Sequence, residues 1–414
     1  MNIGIQTWGS DGDILPFMAL AEGLQSAGHH TTVAYTSVDN KDYSAYSRRG
    51  GFQSFKACGA FATGMGDAMG DIVGTNDPMK QFVLVMKDFF DPAVEAMYEA
   101  STRLCSDNDI VIGHMMNHTL LSAAEKFHRP RAVVALAPLA IRTRQIPLFG
   151  PNLGPWLNPL TWMLGDYVGR KKLFARAEAI RKREGMRALK STQEQLYTSR
   201  ELTLIASSPT LTPRRKDWGA HIQICGDLRF SRDDLHIPMP PGLAEFISAG
   251  EPPVYMTFGS LSPFESEALD HLMSEAAEKA QCRAIIQSPS RNETGGNIFK
   301  CDRSPHAHVF PDCRAVVHHG GAGTTHSALR ADCPSVVVEH AFDQLFWGQS
   351  LQKAGVAGPV LHRNTLTAGQ LADAIRRTMD SAGMRRSATK LGQQMRTENG
   401  VAKAVDLIEQ RFAR

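Results

Sequence analysis

The stretch Val316-Val317-His318-His319-Gly320-Gly321-Ala322-Gly323-Thr324-Thr325 constrains this chain more than any other. Two β-branched residues read as the end of a buried strand, glycines at 320, 321 and 323 strip away side chains, and two threonines open a helix. Such a junction is an anion cradle. Main-chain N–H groups can come close to a phosphate, and the first turn of the helix carries partial positive charge towards it. His319 and the threonine hydroxyls can add hydrogen bonds. One helix-length later, Asp343-Gln344 offers a carboxylate and an amide, which suit adjacent sugar hydroxyls. A lone Gly-x-Gly would signify a tightly packed turn and nothing more; the paired histidines and the downstream Asp-Gln favour a ligand.

Strand and helix patterns alternate on both sides of this stretch. Ile3–Thr7 reads as a strand, Gly9–Asp13 as a turn, and Pro16 as the start of a helix that Gly28 ends before the strand Thr31–Tyr35. That is the opening of a parallel α/β sheet, in which ligands gather at the carboxyl ends of strands. A glycine-punctuated region over 52–105, with a helix near 79–103, precedes further strands at 109–114, 131–136, 201–206 and 221–226. Pro238, Pro240 and Pro241 mark a linker. A second run then begins at Pro253–Ser260: helix 265–280, strand 283–287, a short strand Ala307–Phe310, strand 315–318, helix 324–331, strand 335–338 and helix 345–354, with helices near 367–380, 382–394 and 399–412. The expected architecture is α/β, with two doubly wound Rossmann-like domains facing a cleft. The boundaries fall at 1–230, a linker 231–251, 252–396, and a C-terminal helix within 397–414 that crosses back to the first domain.

At 414 residues the chain is too long for one ordinary core, in keeping with that division. Hydrophobic residues at 43% and charged residues at 21% describe a globular chain, and a net charge of +3 gives no reason to expect nucleic acid. Seven scattered cysteines without Cys-x-x-Cys spacing fit a reduced cytoplasm and offer no zinc site. The start Met-Asn-Ile-Gly-Ile lacks the charged and apolar segments of a signal peptide. Residues 146–168 are the most apolar, yet Pro147, Pro151, Pro155, Pro159 and Asp166 break them, so a spanning helix is not expected. With the basic segment Arg170–Arg183 they could rest peripherally on a membrane or grip a lipidic acceptor; the plainer reading is a packed acceptor-lining loop and a solvated helix.

The motifs match the parts of a nucleotide sugar. The glycine loop and His319 suit a pyrophosphate, Asp343 and Gln344 a sugar, and Ser260, ending the second run's first strand, a phosphate or glycosyl oxygen. No Asp-x-Asp stands where a metal bridge would need it, so charge neutralisation falls to the helix terminus and His319, without metal or other cofactor. Transfer needs a base, and Asp13 is the candidate, with Asp11 its rival; N-capping of a helix is the structural alternative for both. Ser10, Asp11, His114 and His118 are candidate acceptor-lining residues, although a satisfied core or surface role is the commoner fate of each histidine. An NAD-dependent oxidoreductase would need Gly-x-Gly-x-x-Gly after the first strand, and Gly9-x-x-Gly12 fails that spacing.

At these residues the sequence resembles the family 1 GT-B glycosyltransferases, in particular the bacterial and fungal branch of sterol glucosyltransferases, glycolipid rhamnosyltransferases and antibiotic glycosyltransferases. Gly9–Phe17 looks like that branch's Gly-Ser/Thr-x-Gly-Asp-x-x-Pro-Phe opening, Phe258-Gly259-Ser260 like its interdomain strand end, and Asp343-Gln344-Leu345-Phe346-Trp347-Gly348 like the Asp-Gln-Pro-Phe-Trp-Gly of sterol enzymes. The resemblance implies inverting, metal-free transfer of a hexose, by default glucose from a UDP-sugar, to a small hydrophobic acceptor. Alternatives are a dTDP-sugar-dependent antibiotic or glycolipid enzyme, and a non-catalytic nucleotide-sugar-binding partner. Residue by residue, it gives His319, Gly321, Ala322, Gly323 and Thr324 to phosphate, Asp343 and Gln344 to the sugar, the main chain at Ser304 to the base, and Asp13 to proton abstraction. Asp11 replaces a frequent Arg, Glu339–Phe342 replaces a Pro-containing lead, and Leu345 replaces Pro, which puts sugar choice in more doubt than nucleotide binding.

Overall fold

The computed structural model describes residues 1–61, 70–75, 77–230, 237–259, 266–288 and 293–413. The chain divides into one unit made of Met1–Met65, Phe82–Phe230 and Asn399–Arg414, and a second made of Gly66–Gln81 and Ser231–Glu398. In the first, β1 (Asn2–Gly9), β2 (His30–Ser37), β3 (Gln53–Lys56), β4 (Ile110–His114), β5 (Arg131–Ala135), β6 (Leu202–Ile205) and β7 (Ile222–Ile224) form a parallel sheet ordered β3-β2-β1-β4-β5-β6-β7. Strands covered on both faces read as nearly continuous apolar runs. Ile3, Ile5, Ile110, Ile112 and Val134 accordingly share one core with Phe17, Leu20 and Leu24 of the helix Asp11–Ser26.

The second unit repeats the plan. Its strands are β8 (Val254–Thr257), β9 (Ala284–Gln287), β10 (Glu293–Gly295), β11 (Ile298–Cys301), β12 (Ala315–His318), β13 (Ser335–Glu339) and β14 (Leu361–His362), in the order β10-β11-β9-β8-β12-β13-β14. β10 runs antiparallel to β11, and the other pairings are parallel. Val254 and Met256 pack on one face and Tyr255 on the other, the alternation expected of a strand with a core on each side. In each sheet the strand order reverses once, between β1 and β4 and between β8 and β12. A crevice outside the carboxyl ends at such a reversal is where open α/β sheets bind ligands.

Several expectations are corrected. The first helix begins at Asp11, so Asp11-Gly12-Asp13 form its first turn and Pro16 lies inside it. Ser10, in extended conformation, is a good N-cap and overrides the start signal of the proline. Ala307–Phe310 is helical turn, not strand: Pro305 caps the helix His306–Val309, and Pro311 sits in the following turn Phe310–Asp312. Residues 66–81 group with the second unit, and the expected linker contains the helix Leu243–Ser248. The edge strands β3, β10, β11 and β14 were not legible.

The helix Gly400–Phe412 belongs to the first unit, where Ala404, Val405 and Ile408 join the core and Glu409 meets His29 at 3.1 Å. Two glycines let it approach. A Cβ at Gly23 would lie 2.2 Å from Val401, and one at Gly400 2.2 Å from the Asp227 carbonyl oxygen. Backbone cannot yield as a flexible side chain can, so Gly400→Ala should destabilise the protein by roughly 1–3 kcal/mol. Urea unfolding monitored by far-UV circular dichroism measures it.

Candidate functional site

At the reversal in the first sheet, Gly9 ends β1 with φ +128°. A Cβ there would fall 2.2 Å from Asp13 Oδ2, so the glycine is what lets the Asp13 carboxyl lie over the strand end. Asp13 Oδ2 accepts the Ser10 N–H at 3.1 Å, which is the capping role. Oδ1 points to His114 Nε2, 3.7 Å away at the carboxyl end of β4. That ring's orientation fixes its proton. Nδ1 lies 2.6 Å from the Met115 carbonyl, which can accept but not donate, so Nδ1 carries the hydrogen and Nε2 presents a lone pair. At 3.7 Å no hydrogen bond is formed. Nε2 can nonetheless accept from a protonated Asp13 and cannot donate to the ionised form, so His114 favours the acid. Enclosure, and then Asp39, push the Asp13 carboxyl up to about 6 against the Ser10 N–H, which lowers it. The side chain still keeps 40% of its surface open, as a base that must meet a substrate requires. Burial pushes His114 down to about 4, so it is neutral at pH 7.

At the other reversal, β12 leads through Gly320 and Gly321 into the helix Ala322–Arg330. Gly320 has φ +86°, and a Cβ on it would meet the Gln344 carbonyl at 2.9 Å. The His319 ring packs against two other glycines: Cβ atoms at Gly259 and Gly321 would stand 2.7 and 2.3 Å from it. At Gly323 a Cβ would meet nothing within 4 Å, so the first turn is open to an incoming group. Thr325 N bonds the Gly321 carbonyl at 3.0 Å, while the N–H groups of Ala322, Gly323 and Thr324 precede the first intrahelical bond. Burial pushes His319 and His306 to about 4 and His318 and His340 to about 3; His319 also depresses the other three. The histidines of the cradle are therefore neutral at pH 7, with the Arg303 and Arg363 charges contributing to the depression of His306 and His340.

Comparison with known proteins fits this geometry. Residues 276–409 match the family described as erythromycin biosynthesis protein CIII-like, C-terminal domain. The chain is 36% identical over 203 residues to the Arabidopsis thaliana sterol 3-beta-glucosyltransferase UGT80A2, covering 48% of this chain and 32% of that one. It is 26% identical over 429 residues to the sterol 3-beta-glucosyltransferase of Aspergillus clavatus, covering 99% and 29%. The structure of CalG4, the calicheamicin glycosyltransferase, superposes with a TM-score of 0.71 at 15% identity, covering 100% and 98% of the two chains. The chain has the GT-B fold of that glycosyltransferase, and the family match lies within its residues 276–409. It spans about a third of the length of these two sterol relatives, 32% and 29%.

Within this GT-B fold the remaining sequence candidates separate. Asp11 takes Tyr43 Oη at 2.7 Å on one oxygen and Lys41 Nζ at 2.8 Å on the other, which removes it as a rival base. His118 is a correction: it is fully buried beside Phe90 at 4.7 Å, neither ring nitrogen has a partner, and its pKa falls to about 3. It lines no acceptor surface. Ser304 is buried with its hydroxyl 2.8 Å from Tyr255 Oη, leaving the main chain for a base. Asp343 caps the helix Gln344–Lys353, and its Oδ2 is held by Trp347 Nε1 at 2.7 Å. Gln344 Oε1 is occupied by the N–H groups of His340 and Ala341 at 2.7 and 3.1 Å, so of its amide the NH2 end alone could serve a sugar. Ser260 lies outside the described residues. Sequence reasoning missed Lys41, His306, His340 and Gln81, whose amide touches the His340 carbonyl and Phe342 N–H at 3.5 and 3.4 Å. Phe342 has φ +62°, an uncommon value for an aromatic residue, immediately before Asp343. That strain and the histidine at 340, in the segment departing from the family pattern, were the available signals.

A bound phosphate would favour the protonated form of the depressed histidines. Affinity for a nucleoside diphosphate should therefore increase as pH falls from 8 to 5, with proton uptake, and His319→Ala should flatten that slope. Titration calorimetry in buffers of different ionisation enthalpy measures both.

Proposed function

We propose that this chain is an inverting, metal-independent glycosyltransferase that moves a hexose, glucose by default, from a UDP-sugar to a hydroxyl of a small hydrophobic acceptor such as a sterol. It would act in the cytoplasm, within reach of the membranes into which such acceptors partition. Asp13 takes the proton of the acceptor hydroxyl as that oxygen bonds to the anomeric carbon. The bond from that carbon to the diphosphate oxygen breaks, and a single displacement inverts the centre. Charge on the departing UDP is met by the N–H groups of Ala322, Gly323 and Thr324, with His319 as a donor. His114 Nε2 accepts a hydrogen bond from Asp13 once Asp13 is protonated.

The observation that carries this reading is Asp13 itself, a partly open carboxyl raised to about 6 at the reversal of the sheet. The sterol choice is supported by relatives named sterol 3-beta-glucosyltransferase. A second reading, a dTDP-sugar donor with a natural-product acceptor, is favoured by the erythromycin CIII-like match. Transfer is expected to persist in EDTA; loss of turnover on chelation, restored by magnesium, would overturn the metal-independent part of the reading.

Turnover with UDP-glucose, dTDP-glucose and GDP-mannose, each against sterol and phenol acceptors, decides among these. Glucosylation from UDP-glucose is expected, and no turnover with any donor would point to the non-catalytic binding partner. Asp13→Asn should lose about 10²–10⁴-fold in kcat. The native pKa is raised above the ordinary 3.8, so ionising Asp13 disfavours the fold as pH rises through about 6. Removing the charge should thus leave the melting temperature at pH 7.5 unchanged or higher. Full activity in the variant would remove Asp13 from the mechanism, and lost stability would make it a structural cap.

A further inference from the structure

The helix Asn158–Val168 is built inside out. Its inward stripe is polar or small. Asn158 Nδ2 donates to the Arg144 carbonyl and to Asn152 Oδ1, each at 2.9 Å. Asp166 Oδ1 accepts the main-chain N–H and the hydroxyl of Thr192, both at 2.6 Å. Trp162 between them is buried and donates to the Ile146 carbonyl at 3.0 Å, and Gly165 lets Leu148 lie against the helix. On the opposite side, Leu160, Met163, Leu164 and Tyr167 are 52–60% exposed. Just before the helix, Leu153 and Leu157 are 57% and 48% exposed and Trp156 87%. A helix at a protein surface ordinarily turns its apolar stripe inward. Here the helix's amide and carboxylate are spent inside, and seven large apolar or aromatic side chains, Tyr167 with its hydroxyl among them, are exposed together, the kind of contiguous surface that marks an interaction site.

We propose that this face docks on the surface of an anionic lipid bilayer. Charge selects that partner. From 142 to 171 the chain has four basic residues, Arg142, Arg144, Arg170 and Lys171, and one acid, Asp166. The acid is turned inward and Arg170 lies 3.6 Å from it. Arg142 and Lys171 are exposed and make no ion pair among the described residues, while the exposed Arg144 lies beside Asp217, whose carboxylate accepts its main-chain N–H at 2.5 Å. They bracket the helix, since the Arg144 carbonyl holds Asn158 at its start and Lys171 follows its end. Apolar side chains framed by unpaired cations fit lipid headgroups, whereas a second copy would bring like charges to the same rim. Trp156 and Tyr167 are residue types that favour the headgroup level. At 11 residues the helix is about 16 Å long, half of the roughly 30 Å of a hydrocarbon core, so it would lie in the interface plane. No helix among the described residues is long and apolar enough to cross a membrane.

The test reads binding, not catalysis, so it stands apart from the proposed activity. The full chain is floated with vesicles of phosphatidylcholine containing phosphatidylglycerol, and with vesicles of phosphatidylcholine alone. Association with the anionic vesicles and a blue shift of tryptophan emission are expected. Trp156→Ser with Leu160→Ser should abolish both, and Arg142→Gln with Lys171→Gln should weaken association by about tenfold or more. All four side chains are at the surface, so melting temperatures should stay at the parent value. No association, equal association with the neutral vesicles, or binding that survives both double variants would overturn the proposal. So would a lipid-free dimer in sedimentation velocity that Trp156→Ser with Leu160→Ser dissolves.

Discussion

Asp13 and the His319 ring each lie where a Cβ is missing. β1 ends at Gly9 and β8 is followed by Gly259, both with φ in the left-handed range, and over each lies a polar side chain, Asp13 on one and the His319 ring on the other. Any other residue there would face two penalties together, a strained backbone and overlap with the group it supports. The two sheets differ in their edge strands, yet each has placed the same solution beside the strand where its order turns back, β1 before β4 in one and β8 before β12 in the other. A carboxyl occupies one of those points and a glycine-flanked imidazole the other.

Electrostatics follows from that placement. Strand ends in a doubly wound sheet are surrounded by covered faces, so titratable groups held against them lose water. The Asp13 carboxyl is pushed up to about 6 and the His114 and His319 imidazoles down to about 4, so at pH 7 the carboxylate is ionised yet more basic than usual, while the imidazoles are neutral. A carboxylate held close to its own pKa can take up a proton readily, and neutral imidazoles can take up or give a proton as charge nearby changes. Asp11, two residues from Asp13, shows the contrast. Lys41 and Tyr43 fix its charge, and it supports the local structure without being able to change state.

The sequence made the doubled architecture and the cradle legible because both rest on local patterns: apolar runs of strand length, and glycines between a strand and a helix. Other parts depend on neighbours. β3, with the sequence Gln-Ser-Phe-Lys, and the three-residue β10 become strands because another strand offers a free edge, and no residue-level preference announces them. Ala307–Phe310 looks like a strand until the flanking prolines are given priority. His114 and His118 follow the same strand and read alike, yet one approaches a carboxyl and the other sinks among phenylalanine rings, a difference of depth that no spacing encodes. Gln344 carries a sugar-binding signature, and its oxygen is nevertheless committed to the turn that presents Asp343.

The helix Gly400–Phe412 has a consequence for how the protein is made. It supplies part of the core of the first unit and meets residues 226 and 227 backbone to backbone through Gly400. On the ribosome, residues 1–230 would emerge early and remain with one wall of that core open while the whole of the second unit is synthesised. The second unit has all its strands and helices by residue 398, so it can close first. Order of synthesis and order of completion are thus opposite: the unit carrying Asp13 waits for a helix that is made only after the second unit.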